Sequence, residues 1–221
     1  MRTEVISAKA EGGTTLVCFA LKEEAAPFRK LMAGRADVSI LLTGIGRKNA
    51  ERSVREFLQN QSPRQVFTCG FTGGLDPKLQ IGDVIFATTD AVLADVLSRS
   101  GASRATFTCV ERIATTAFEK QMLRADTQAD AVEMESAVIH MVCQEGGIPC
   151  VTVRAISDTA TEDLPLDFNQ LSNPDQSLNF GKLAFAVAKS PGKIPALLQL
   201  QKNSNRAAQR LAGTLSEVIG S

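Results

Sequence analysis

In the stretch AVEMESAVIHMVC, Glu133 and Glu135 bracket Met134 where an apolar helical segment begins. Carboxylates at such a place either sit solvated in the first turn, favoured by the helix dipole, or turn inward as acceptors for a ligand's hydroxyl groups. A step of two residues turns helical side chains to nearly opposite faces but extended ones the same way. A helix beginning at Met134 therefore lets Glu135 face a pocket while the apolar side docks on a sheet. Other carboxylates stand at comparable places: Glu23 and Glu24 in ALKEEA, and Asp158 beside Ser157 at the end of IPCVTVRAISD. Carboxylates brought to one cleft can share general acid and base work. Gly44-Ile45-Gly46 in TGIGRKNA and Gly70 to Gly74 in CGFTGG read as tight turns, whose backbone N–H groups can approach a ligand closely. Each feature also has an ordinary reading, as first-turn acids, plain turns or an Asp cap.

Other chemistries find little material. The five cysteines (Cys18, Cys69, Cys109, Cys143, Cys150) are scattered, mostly in apolar runs, and none has CxxC spacing, so they read as small buried thiols. His140, the single histidine, lies inside a helical segment and reads as a half-buried helix residue. No metal and no cofactor is expected. Lys plus Arg (24) balances Asp plus Glu (24), which gives no field to draw nucleic acid or an anionic membrane. The expected partner is a small molecule. No apolar run has the length of a membrane span, and MRTEVISAKAEGG lacks the apolar centre of a signal peptide, so the protein reads as cytoplasmic.

Short runs rich in Val, Ile and Phe alternate with helical segments, the pattern of an α/β chain. TTLVCFAL, DVSILLTG, RQVFTCG, GDVIFATTD, RATFTCV and IPCVTVRAISD read as strands. KEEAAPFRKLMAG, GRKNAERSVREFLQN, ATTAFEKQML and MESAVIHMVCQEGG read as helices. The run from Val151 to Ile156 suits a strand covered on both faces. TATEDLPLDFNQLSNPDQ reads as a loop lying across the strand ends. The last stretch, with Leu197, Leu200, Leu211 and Leu215, reads as closing helices. One domain over 1–221 is expected, with ligands gathered at the carboxyl ends of the strands.

ALKEEA, TGIGRKNA, CGFTGGLDPKLQIGDVIF and VEMESAVIHMVCQEGGIPCVTVRAISD, in that order, resemble the nucleoside phosphorylase and nucleosidase superfamily over nearly the full length. The resemblance implies a three-layer α/β/α fold with a twisted mixed sheet, and a homodimer. The branch it looks most like is the methylthioadenosine/adenosylhomocysteine nucleosidases. In these an acidic cluster matches ALKEEA, where phosphorylases carry a phosphate loop, and Thr68 stands where many phosphorylases place a phosphate-gripping arginine.

Carried over, the pattern implies that Asp158 is the acid at purine N7 and Glu24 the base that activates water. Glu135 would hold the ribose hydroxyls, with Met134 against the sugar and Glu133 close by. Ser157 would hold Asp158 and Arg154 would organise the water region. Thr72 and Gly73, with Phe71 and Ile45, would border the sugar, and Ile113 would take the place of the adenine-stacking residue. For Asp158 to act near neutral pH its carboxyl must hold or share a proton, which enclosure at the strand end would favour. The chain departs from the family at Phe71, usually serine, at Ile113, and in a short stretch from Asp90 to Cys109. Shorter relatives acting on an adenosyl-lipid or on futalosine share these departures. A phosphate-dependent phosphorylase and a non-catalytic nucleoside-binding protein stand as alternatives.

Overall fold

A computed structural model describes residues 5–6, 13–171, 173 and 179–220. Most of the N-terminal MRTEVISAKAEGG stretch, and residues 172 and 174–176 of the loop expected after Asp158, lie outside the described residues. The elements in chain order are β1 (Val5–Ile6), β2 (Thr15–Phe19), α1 (Lys22–Leu31), β3 (Val38–Leu42), α2 (Arg47–Asn60), β4 (Gln65–Gly74), β5 (Val84–Ala87), α3 (Ala91–Arg99), β6 (Ser103–Arg104), β7 (Phe107–Cys109), α4 (Ala117–Thr127), β8 (Ala131–Glu133), α5 (Ser136–Glu145), β9 (Cys150–Asp158), α6 (Phe180–Lys189) and, after a 3₁₀ turn, α7 (Ile194–Gly220).

The sheet runs β1-β3-β2-β4-β9-β5-β6, with β8 branching from β4 and β7 from β8. Its centre, β3-β2-β4-β9, is parallel, whereas β5 joins β9 antiparallel and β8 joins β4 antiparallel. It is therefore a mixed sheet with helices on both sides. Strand β2 shows why: Leu16 and Cys18 enter one core with Val54 and Phe57 of α2 and Val138 and Ile139 of α5. Val17 and Phe19 enter the other with Phe28 of α1 and Leu211 and Leu215 of α7. A strand buried at every position has to be covered on both faces.

Several expectations change. GFTGG is no tight turn but the last part of β4, because its backbone pairs with both β9 and β8. The segment 131–135 does not start a helix at Met134: β8 carries it to Glu133, and α5 begins at Ser136. The closing helices are α6 and one continuous 27-residue α7, on which Leu211 and Leu215 are buried and Leu197 and Leu200 half-buried. Helix α3 and strand β6 occupy the short stretch after Asp90, where Asp90 caps α3 by accepting from the N–H groups of Val92 and Leu93. Cys109 is exposed rather than buried, at the end of β7. His140 is half-buried and within 2.9 Å of Thr152 Oγ1, as a helix residue with a structural partner.

Candidate active site

At the carboxyl ends of β2, β3, β4 and β9 lies one cavity. It is lined by Glu24, Ile45, Phe71, Thr72, Gly73, Ile113, Glu133, Met134, Glu135, Ser157 and Asp158, together with Ala20, Leu21, Val110, Ala114 and Val132. The structure thus brings the candidate residues to one place. Arg154 does not line it but is buried directly behind the carboxylates.

Glu24 sits in the first turn of α1, and its carboxylate is turned inward. Oε2 accepts the Leu21 N–H at 2.8 Å, and Oε1 accepts the Phe71 N–H at 2.8 Å. The reach back to Leu21 serves the helix terminus, while the bond to Phe71 crosses to β4. Gly70 makes that crossing possible: at φ +148° a Cβ would stand 2.8 Å from Glu24 Oε1 and 2.9 Å from Arg154 Nη1. Burial pushes Glu24 up to about 7, against the pull of the Phe71 N–H and Arg154. The side chain of Phe71 does not disturb this bond, because it is the backbone that donates.

The two glutamates of EMES divide the work. Glu133 Oε2 accepts the N–H groups of Glu135 (2.9 Å) and Ser136 (2.8 Å) and the Arg154 Nη2 hydrogen at 2.6 Å. It thereby satisfies N–H groups at the start of α5 from just outside the helix. Its other oxygen takes the Ser136 hydroxyl at 2.6 Å and the thiol of Cys109. Burial alone would raise Glu133, but Arg154 and these donors bring it below the usual carboxylate range. Glu135 Oε1 accepts the Gly46 N–H at 2.8 Å, and Oε2 lies 3.4 Å from Arg154 Nη1. Gly44 (φ +80°) and Gly46 (φ +84°) place that N–H, in a backbone conformation that disfavours other residues. Glu135 is raised, first by burial and further by the charge of Glu133.

Asp158 ends β9. Between Thr72 and Gly73 the β4–β9 register shifts: Thr72 pairs with Ile156 and Gly73 with Asp158, so Ser157 is a surplus residue. Consecutive strand residues ordinarily point to opposite faces, but the bulge lets Ser157 and Asp158 both reach the cavity. Ser157 Oγ donates to Asp158 Oδ1 at 2.7 Å. Lys120 of α4, fully buried, lies 2.6 Å from Asp158 Oδ2. Enclosure of Asp158 therefore comes with a partner cation that sequence reading missed, and the nearby apolar residues of AFEKQML masked it. The described part of the loop after β9 is tied to one wall of the cavity and does not itself line it. Asn169 exchanges two bonds with the Ile113 backbone, both 2.9 Å, and the Leu164 N–H donates to Thr115 O at 2.8 Å.

Among the described residues no group of three or more His, Cys, Asp or Glu side chains could hold a metal ion. No helix among them is long and apolar enough to cross a membrane.

The profile of the Phosphorylase superfamily matches residues 21–108 and 102–189. The chain is 30% identical over 173 residues to a 5′-methylthioadenosine/S-adenosylhomocysteine nucleosidase of Marinomonas sp., covering 61% of this chain and 73% of that protein. It is 26% identical over 174 residues to the nucleosidase of the same name from Shewanella halifaxensis, covering 63% and 75%. Among solved structures, the Helicobacter pylori nucleosidase of that name superposes with a TM-score of 0.73 at 17% identity, covering 95% of this chain and 99% of that one. Futalosine hydrolase of the same organism gives 0.72 at 17%, covering 94% and 97%. At this identity the two structures speak for the fold alone.

Proposed function

The chain belongs to the phosphorylase superfamily, and from that premise we propose that it is a nucleosidase. It hydrolyses the N-glycosidic bond of a 5′-substituted adenosine, such as methylthioadenosine or adenosylhomocysteine, the substrates in the names of its curated relatives. One observation carries water rather than phosphate as the nucleophile. The cavity is lined by Glu24, Glu133, Glu135 and Asp158, and no basic side chain among the described residues lines it. Arg154 is committed to Glu133 and borders Glu135. A phosphate dianion would meet carboxylates, whereas a ribose gaining positive charge is stabilised by them.

In this reading Glu135 accepts the ribose hydroxyls, its second oxygen being fixed by Gly46. Glu24 takes a proton from water as that water attacks C1′. A base with its midpoint near 7 suits such a step at neutral pH. The electron pair of the C1′–N9 bond passes to the purine, which is protonated at N7 from the Asp158 side. Met134, Phe71, Ile45 and Ile113 form apolar walls around sugar and base, Thr72 and Gly73 border the sugar, and Arg154 holds Glu133 and Glu135 in place. The same reading has the chain working as one domain over 1–221 in a cytoplasmic homodimer. Size exclusion with light scattering tests the dimer.

The deciding experiment offers methylthioadenosine, adenosylhomocysteine, deoxyadenosine, inosine and futalosine, each with and without phosphate, and separates the products by chromatography. Free base together with free sugar, at a rate indifferent to phosphate, is the expected outcome. Base release that strictly requires phosphate and yields a sugar phosphate would overturn it.

A further inference from the structure

Lys120 projects from α4 into the interior with no exposed surface. An ammonium group has three hydrogens, and all are used. They go to Asp158 Oδ2 at 2.6 Å, Thr159 O at 2.7 Å and Glu162 O at 2.9 Å. The other carboxylates nearby are engaged elsewhere. Glu162 Oε2 takes the Thr159 N–H and hydroxyl, Asp163 takes the Ala117 N–H, and Glu119 takes Arg112 and Thr115. Among the described residues, Asp158 is the one carboxylate paired with Lys120.

A buried ammonium stays charged only beside a compensating anion. The departing purine needs a proton, and Asp158 Oδ2 faces the ammonium of Lys120 at 2.6 Å. Two donors touch Asp158, the Ser157 hydroxyl on Oδ1 and the Lys120 ammonium on Oδ2, and the ammonium is much the stronger acid. We infer that Lys120 is a positioning residue that stores, behind Asp158, the proton delivered to the leaving base. The inference rests on the nucleosidase reading above.

As the C1′–N9 bond breaks and its electron pair moves into the base, Asp158 Oδ2 takes a proton from Lys120, whose N–H pair stays on Nζ, and passes it to N7. Product release lets the neutral amine regain a proton from solvent, while Glu24 returns to solvent the one it took from water, so the cycle closes. The two oxygens of Asp158 suit different tasks. Oδ1 is fixed by Ser157, and Oδ2 lies over Gly73, 3.1 Å from where a Cβ would stand, on the cavity side.

The test compares the native protein with Lys120→Met on two substrates: a 5′-substituted adenosine, and 4-nitrophenyl riboside, whose phenolate leaves without a proton. Expected is a fall in kcat on the adenosine of about 100- to 10,000-fold, with KM near the native value and nitrophenol release near native. Equal losses on both substrates, or no loss on the adenosine, overturn the relay. Should the variant not fold, rates of the native protein in mixtures of H₂O and D₂O decide. A relay bends the plot for the adenosine more than that for the riboside, and plots of one shape overturn it. A native protein that releases neither base nor nitrophenol refutes the nucleosidase reading itself, a result distinct from a silent Lys120→Met.

Discussion

Glu133 meets Arg154 at 2.6 Å with both side chains 1% exposed, so the pair is shielded from water, Glu133 in the cavity wall and Arg154 behind it. Removing Glu133 leaves the buried Arg154 with only the longer 3.4 Å approach of Glu135, and breaking such a buried pair costs about 3–5 kcal/mol. Glu133→Ala is expected to lower unfolding stability by that amount in urea titrations. A loss below about 1 kcal/mol would show that solvent reaches the pair.

Glu24→Gln keeps the shape of the side chain but removes its capacity to take a proton. A loss of about 100- to 10,000-fold in kcat, with little change in KM, is expected from steady-state kinetics. For the native protein, kcat/KM should fall as pH drops below about 7, because protonated Glu24 cannot act as a base. A rate that holds level down to the ordinary carboxylate range would remove Glu24 from that role.

The same group leaves a signature in stability. Its value is 4.5 as a free side chain and about 7 in the fold. Between those limits the native state binds more protons than the unfolded chain, so stability is full at lower pH and is lost as pH rises through the folded value. The gap corresponds to roughly 3 kcal/mol. Glu24→Gln lacks this slope, and its stability relative to the native protein should rise between about pH 4 and about pH 8 by up to that amount. Parallel pH profiles for the two proteins would count against a buried, raised carboxyl.

Gly70→Ala puts a methyl group against Glu24 Oε1 and Arg154 Nη1, at a φ of +148° that side chains rarely adopt. A stability loss of about 1–3 kcal/mol is expected. Displacement of Glu24 should lower kcat by a larger factor than that loss explains. A variant with native kcat would mean that the carboxylate does not depend on this close approach.

The sequence made the alternation of strands and helices legible because β2 is apolar on both faces, sending Leu16 and Cys18 into one covering layer and Val17 and Phe19 into the other. The site was legible to the extent that its carboxylates stand at element ends. GFTGG was misread because glycine signals a turn, whereas here it allows a strand to pass close to side chains from β9 and α1. Lys120 was invisible for a related reason. Helix α4 is turned against its own polarity, with Phe118 69% exposed and Lys120 fully buried. Hydrophobic periodicity places a helix by its apolar side, so it cannot announce a cation that an aspartate across the chain holds inward.

The surplus residue in β9 makes this part of the strand sensitive to length as well as to composition. Gaining a single codon between Ala155 and Asp158, with the bulge retained, would move the terminal carboxylate one step along the ladder, from Gly73 to Gly74, and carry it to the opposite side of the sheet. There it would confront packed hydrocarbon instead of ligand and lysine. The apolar positions upstream can exchange one aliphatic side chain for another of similar volume at modest cost. Over these few residues, then, the spacing of the gene is under a stricter constraint than most of its spelling.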